Sequence, residues 1–349
     1  MQDKGYNSVK RSLLKDIIEG RFAEGKLPRR IEMATMYNTT ISTCTKAVAE
    51  LVSEGRLRTV SGVGTFANDV PIRHPLYFLI HSLKQPLYMQ TAKVLSEMAP
   101  KYGFSPTFII ETGACVEEEP NILRKIYSDP QAFVAFYSIM NSKSLPIIQR
   151  NGSRTIVYRF GDSELKGKVS RLSFNRAHGE SLAAEYLVQL GHKRIAHILT
   201  CATPHYNGNF QNALGIAGIR QNKRLVIRLP KWDISANSEH WAMVQKSYER
   251  IMALSNRPTA VFCHNNQLGI MFAEYCIKMG MKVPDEISIV GYEGQLLQEH
   301  ASIKLTSAGP SIEKIADWTF RKMLNNCLPI EDIEFPCELF LGETSAPPL

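Results

Sequence analysis

Thr40, Ser42, Thr43, Thr45 and Lys46 crowd into one short stretch of the chain, within the run YNTTISTCTKAVAEL at residues 37–51. Small hydroxyls donate and accept hydrogen bonds at base edges and phosphate oxygens, and an ammonium neutralises phosphate. At about 100° per residue, Ile41, Cys44, Val48, Leu51 and Val52 share one stripe, while Ser42, Thr43, Lys46 and Glu50 point away from it. The spacing predicts an amphipathic helix capped by Thr39 or Thr40, with an outward face that is small and polar. Such a helix is a common object, and its neighbours decide what it is for.

The preceding residues supply two more helices. Ser8 is placed to cap a helix whose Val9, Leu13, Ile17 and Ile18 recur at helical spacing and which ends at Gly20. A short helix follows Pro28, carrying Ile31, Ala34 and Tyr37. Beyond Gly55, RLRTV and TFAND read as short strands joined by SGVG, whose Gly62 and Gly64 suit a tight hairpin turn. Helix, helix, helix, hairpin is the layout of a winged helix-turn-helix, with the third helix free for a major groove and the hairpin for adjoining backbone or minor groove. The two prolines of NDVPIRHP then disfavour helix, placing this domain at residues 1–70 and a linker at 71–75.

Residues 8–69 resemble the DNA-binding domain of the GntR family of bacterial transcription regulators, through GKLP, Glu32 and Ala34, KAVAELVSEGRL and GVGTF. The family usually opens its third helix with Ser-Arg-x-Thr-Val-Arg-x-Ala. Here both arginine positions are uncharged, as Ile41 and Thr45. The second helix gains Arg29 and Arg30, so phosphate anchoring is expected to shift to Arg29, Arg30 and Lys46. The resemblance thus implies DNA contacts by Arg29, Arg30, Thr40, Ser42, Thr43, Thr45 and Lys46, with Gly62 and Gly64 in the wing.

From Leu76 onward β-type runs alternate with helical ones, which argues for parallel βαβ sheets. The alternation runs through two series, predicting two doubly wound α/β lobes with a ligand cleft between them. The expected division is 76–171 plus about 307–333 for the first lobe, and 172–306 plus about 334–349 for the second. NRAHGESLAAEYLVQLGHKRIAHI, RPTAVFCHNNQLGIMFAEYCIKMGMKVPDEISIVGYEG and CELFLGETSAPP resemble the effector-binding core of LacI/GalR repressors, itself similar to periplasmic sugar-binding proteins. The implied ligand positions are Asn175, Arg176, Asn212, Asn265 and Glu293. An Arg–Asp pair suits polyols because it forks charge-assisted hydrogen bonds to adjacent hydroxyls, and Asn212 stands where the family has the arginine.

Length and composition fit this reading: 349 residues, 44% apolar, 21% charged, net charge +8. The positive balance is a mild pointer to polyanions. No apolar run approaches the roughly 20 residues that span a bilayer, and MQDKGYNSVKRSLL lacks the apolar core of a signal peptide, so a cytoplasmic protein is expected. The seven cysteines are scattered with no C-x-x-C pair, implying neither zinc nor disulfides. The chain holds no P-loop, G-x-S-x-G, H-E-x-x-H or G-x-G-x-x-G in suitable context, so catalysis, a cofactor and a catalytic metal are not expected. The expectation is a homodimeric transcription regulator that binds a double-stranded DNA operator and a small, sugar-like effector, without a membrane. The alternative is a small-molecule sensor or solute-binding protein in which one of those roles has diverged.

Overall fold

The computed structural model describes residues 5–18, 21–22, 26–68, 74–80, 86–110, 113–136, 141–158, 163–200, 208–220, 222–230, 237–294, 303–324 and 330–349. The expected helix end at Gly20 and linker residues 71–73 lie outside them.

The head is built from α1 (Tyr6–Ile18), α2 (Arg30–Met36), α3 (Ile41–Ser53) and a hairpin of β1 (Leu57–Val60) and β2 (Gly64–Ala67). Its core gathers Val9, Leu13, Leu27, Met33, Cys44, Ala47, Val48, Leu51 and Leu57. The stripe of α3 is therefore the packing face, but Ile41 is 50% exposed, because the first turn runs past the end of the three-helix core. In α2 Met33 is the fully buried residue and Ala34 and Tyr37 pack against the core as expected, but Ile31 is 62% exposed. Ser8 is no cap either: α1 begins at Tyr6, and the Ser8 amide already donates to the Gly5 carbonyl. Lys10 of α1 ion-pairs with Glu50 at 2.6 Å and with Glu54, clamping α1 to α3. The hairpin is antiparallel with Val60 opposite Gly64, and Gly62 at its tip has φ +74°, which favours glycine.

Two six-stranded sheets follow. The first lobe has β3 (His74–Ile80), α4 (Pro86–Met98), β4 (Phe104–Ile110), α5 (Gly113–Tyr127), β5 (Phe133–Phe136), α6 (Leu145–Arg150), β6 (Thr155–Tyr158) and β7 (Ser170–Phe174). The second has α7 (Arg176–Gln189), β8 (Ile195–Thr200), α8 (Asn209–Ile216), β9 (Val226–Leu229), α9 (Asn237–Met252), β10 (Ala260–Cys263), α10 (Asn266–Lys278), β11 (Ser288–Tyr292) and β12 (Thr306–Pro310). The chain returns to the first lobe with α11 (Ile312–Leu324) and β13 (Asp332–Phe335), then ends in the second with β14 (Cys337–Phe340). The sheet orders are β13-β7-β6-β5-β3-β4 and β14-β12-β11-β10-β8-β9. Every described pairing in them is parallel except β12 with β14, and the strands read as near-continuous apolar runs, as sheets covered on both faces do.

This topology adjusts the expected divisions. His74 and Pro75 already pair in β3, so the linker is shorter than 71–75. The cut at 171/172 falls inside β7, and the crossing lies at Asn175. Thr306–Pro310 pairs with β11 in the second sheet, while the next helix buries Ile312, Ile315, Ala316 and Phe320 in the first lobe, moving that cut to Ser311. α5 carries Pro120 inside it. Side-chain pairs stand beside the crossings after β7 and after β13. Arg171 grips Asp332 with two hydrogen bonds of 2.7 and 2.6 Å, and Asn175 Nδ2 donates to Glu334 at 2.8 Å.

The head seats against the first lobe. Lys10, Glu54 and Arg56 of the head share a cavity of about 290 Å³ with His74, Phe133 and Met323.

Candidate nucleic-acid interface and effector cleft

Thr40 is the cap of α3: its Oγ1 accepts from the Thr43 amide at 3.1 Å and lies 2.8 Å from the Thr43 hydroxyl. Thr45 Oγ1 donates to the Ile41 carbonyl at 2.8 Å. Ser42, Thr45 and Lys46 are exposed, as are Thr40 and Ile41, and Thr43 is half-buried. The Lys46 ammonium sits 4.3 Å from the centroid of the Tyr6 ring, a cation–π contact that fixes its direction while leaving it solvated. Arg29 is exposed and its amide donates to Glu32 at 2.7 Å. Arg30 is only partly available, since its Nη2 donates to Thr65 Oγ1 in the wing at 3.1 Å. Burial lowers its pKa, which still leaves it protonated. Gly62 is exposed at the wing tip and Gly64 packs on Lys26. The sequence reading passed over Arg58, an exposed wing residue whose guanidinium lies 5.5 Å from the Phe66 centroid. Its signal was its place in β1, which buries Leu57 and leaves the next three residues exposed.

The cleft side of the second lobe is organised around Arg176 in the first turn of α7. Its Nε donates to Glu180 at 2.8 Å, one helical turn on, and Glu180 is buried. Nη2 donates to His264 Nδ1 and to the His264 carbonyl, both at 2.9 Å. The guanidinium lies 4.1 Å from the Tyr292 ring centroid. Three strand or helix ends thus converge on one cation, placed where loops of doubly wound sheets meet ligands. Burial first, then the charge of Arg176, pushes His264 down to about 2, so its ring is neutral and can accept. His197 behind it is held at about 3 by burial, with Gln211 Nε2 at 2.6 Å from Nδ1. Gly179 lets α7 approach: a Cβ there would lie 2.7 Å from the Tyr292 ring.

Asn265 and Glu293 follow His264 and Tyr292 directly and so stand at the same strand ends. Asn265 Oδ1 caps α10 by accepting from the Leu268 amide at 2.8 Å. Glu293 has φ +120°, a strained conformation for a residue with a Cβ, of the kind that gathers at binding sites. Asn175 has both ends of its amide engaged, accepting from the His178 amide at 2.8 Å and donating to Glu334. Asn212 is exposed, and its neighbour Gln211 is the residue of that helix that meets His197.

Comparison with known proteins matches both halves. Residues 5–67 match the family described as bacterial regulatory proteins, gntR family, and residues 184–345 match the periplasmic binding protein-like domain. The chain joins a GntR-type head to a periplasmic-binding-protein-like core. An arabinose metabolism transcriptional repressor of Halalkalibacterium halodurans is 23% identical, over 93% of this chain and 90% of that protein. One from Geobacillus stearothermophilus is 22% identical, over 86% and 85%. The core shares its fold with a LacI family regulator from Enterococcus faecium solved with ribose, at TM-score 0.61 and 18% identity, covering 78% of this chain and 99% of that one. It does so too with one from Lactobacillus casei solved with glucose, at 0.57 and 16%, covering 78% and 99%.

The periplasmic-binding-protein-like core has a further cavity of about 670 Å³, lined among others by Lys193, Arg194, Ile195, Arg220, Lys223 and Val226. It opens where β8 and β9 begin, opposite the strand ends that carry Arg176, His264 and Tyr292. Among the described residues no helix of the GntR-type head or the core is long and apolar enough to cross a membrane, and no three His, Cys, Asp or Glu gather as metal ligands. His264, Tyr292 and Glu180 escaped the list of candidate contacts. Arg and Glu four apart in RAHGE could have flagged Glu180, whereas His264 meets Arg176 only through the sheet.

Proposed function

We propose that this chain is a sequence-specific DNA-binding transcription regulator whose operator occupancy is set by a small sugar-like molecule held between the lobes of its core. The observation that carries the reading is the pairing of two sites on one chain: a winged head with an open polar face, and a guanidinium fixed at the strand ends of a two-lobed core. Arg176, with Asn265 and Glu293 beside it, offers the donors and acceptors that adjacent sugar hydroxyls require. The relatives over most of the chain are named arabinose metabolism repressors, and core neighbours were solved with ribose and glucose. A pentose or hexose is accordingly the first effector to try. The chain acts by binding and carries out no catalysis.

Arg29, Arg58 and Lys46 anchor phosphates while Thr40, Ser42 and Thr43 approach base edges, with Arg30 and Thr45 contributing partly through the head's own hydrogen bonds. The glycine turn brings Gly62 and Gly64 to the backbone. A homodimer presents two such heads to half-sites one helical turn or a multiple apart. Because the head seats on the first lobe, closure of the second lobe on a sugar alters the spacing of the heads, which couples the two sites. The test is selection of bound duplexes from a random pool at fixed salt, repeated with arabinose, ribose and glucose. An enriched near-palindrome whose retention changes with one sugar is expected. Failure to enrich any sequence in any condition would overturn the reading.

A further inference from the structure

The first turn of α3 carries its largest apolar side chain outward. Ile41 is 50% exposed, at a position where the GntR pattern has an arginine. Single exposed apolar residues are ordinary on protein surfaces. Ile41 differs in its surroundings. Thr40 is occupied as the helix cap, and the proton of Thr45, the next residue along the same face, is committed to the Ile41 carbonyl. The charged groups nearby, Lys46 held over Tyr6 and exposed Arg29, are the ones assigned above to phosphates. At the edge of this face, beside the hydroxyls of Ser42 and Thr43, an aliphatic group therefore stands exposed in the first turn of the helix. A major groove presents only one apolar feature, the C5 methyl of thymine.

We infer that Ile41 reads thymine methyl groups in the major groove, so that each operator half-site carries a thymine under the first turn of α3. This rests on the regulator reading given above. Thr45 contributes to the same contact through its methyl, its hydroxyl being turned to the backbone. The resulting half-site is selected by shape and methyl burial where arginine-bearing relatives select guanine by forked hydrogen bonds.

The experiment uses the full chain and the duplex enriched from the random pool. Each thymine of one half-site is replaced in turn by deoxyuridine, which removes the methyl and leaves every hydrogen-bonding group in place, and Kd is measured by fluorescence anisotropy at fixed salt. At one or two positions the loss should be about fourfold, the worth of one buried methyl. With Ile41→Ala the loss at those positions should shrink to less than about twofold, while the melting temperature stays close to that of the parent because Ile41 is 50% exposed. Equal binding of every deoxyuridine duplex, or an undiminished loss in Ile41→Ala, would overturn the inference and leave the regulator reading intact. A pool from which nothing is enriched would instead sink the regulator reading, and the inference with it.

Discussion

Beside the motifs they resemble, the outward face of α3 lacks two arginines and the second lobe lacks one, and the two regions respond in opposite ways. On α3 the positions pass to Ile41 and Thr45, and no other cation takes their place in the first turn. In the second lobe Asn212 stands where the resembled motif has arginine, but Arg176 in the first turn of α7 is held by Glu180, by the ring and carbonyl of His264 and by the face of Tyr292. A sugar must be recognised by a fixed fork of donors in a half-dry site, so a lost guanidinium has to be supplied again from elsewhere. A groove edge offers methyls as well as hydrogen-bonding atoms, so a head can change what it reads without restoring the charge.

The sharpest way to break this comparison is to truncate both residues. Arg176→Ala strands the buried Glu180 carboxylate and should cost about 2–4 kcal/mol, below the full range for buried pairs because the arginine is partly solvated. Ile41→Ala should change stability by less than about 0.5 kcal/mol. Chemical denaturation of the two variants tests both figures, and similar losses would erase the distinction between a pinned residue and an open one.

Acid should next find the cleft before the head. His264 and His197 stay neutral in the fold down to about 2 and 3, whereas an unfolded histidine takes up a proton near pH 6.5. Their contribution is complete above that value and is lost as pH falls, because only the unfolded chain binds the protons. Melting temperature should drop between about pH 7 and 5, and His264→Gln should flatten the drop. In the head, Thr40→Ala removes the cap of α3 and should cost about 1 kcal/mol. The smallest effect is that of Lys46→Ala, which should leave sequence preference intact and lower the salt dependence of DNA binding by about one ion.

Most of the architecture was legible in the sequence because central strands such as Phe133–Phe136 and Ala260–Cys263 read as buried apolar runs, and helices such as α3 and α11 repeat their apolar residues at a regular interval. The misreadings occur where a local rule meets the edge of a packed unit. Ile41 obeys the stripe of α3 but overhangs the core, Ser8 looks like a cap inside a helix that has already begun, and Ser170–Phe174 was divided because its partners β6 and β13 were invisible. In the second lobe, Arg176, Asn265 and Glu293 were legible as candidates from their motifs. His264 and Tyr292 could not, since they touch Arg176 across 88 and 116 positions of chain.

The claim that the fork has moved to Arg176 is tested most directly by Arg176→Lys, which keeps a charge for Glu180 but cannot hold His264 and a sugar at once. DNA affinity of the parent and the variant is measured on the selected operator across a titration of the active sugar. Arg176→Lys should bind the bare operator as the parent does while needing about tenfold or more sugar for the same response. An unchanged sugar titration would contradict the account and return the recognition of the effector to other residues.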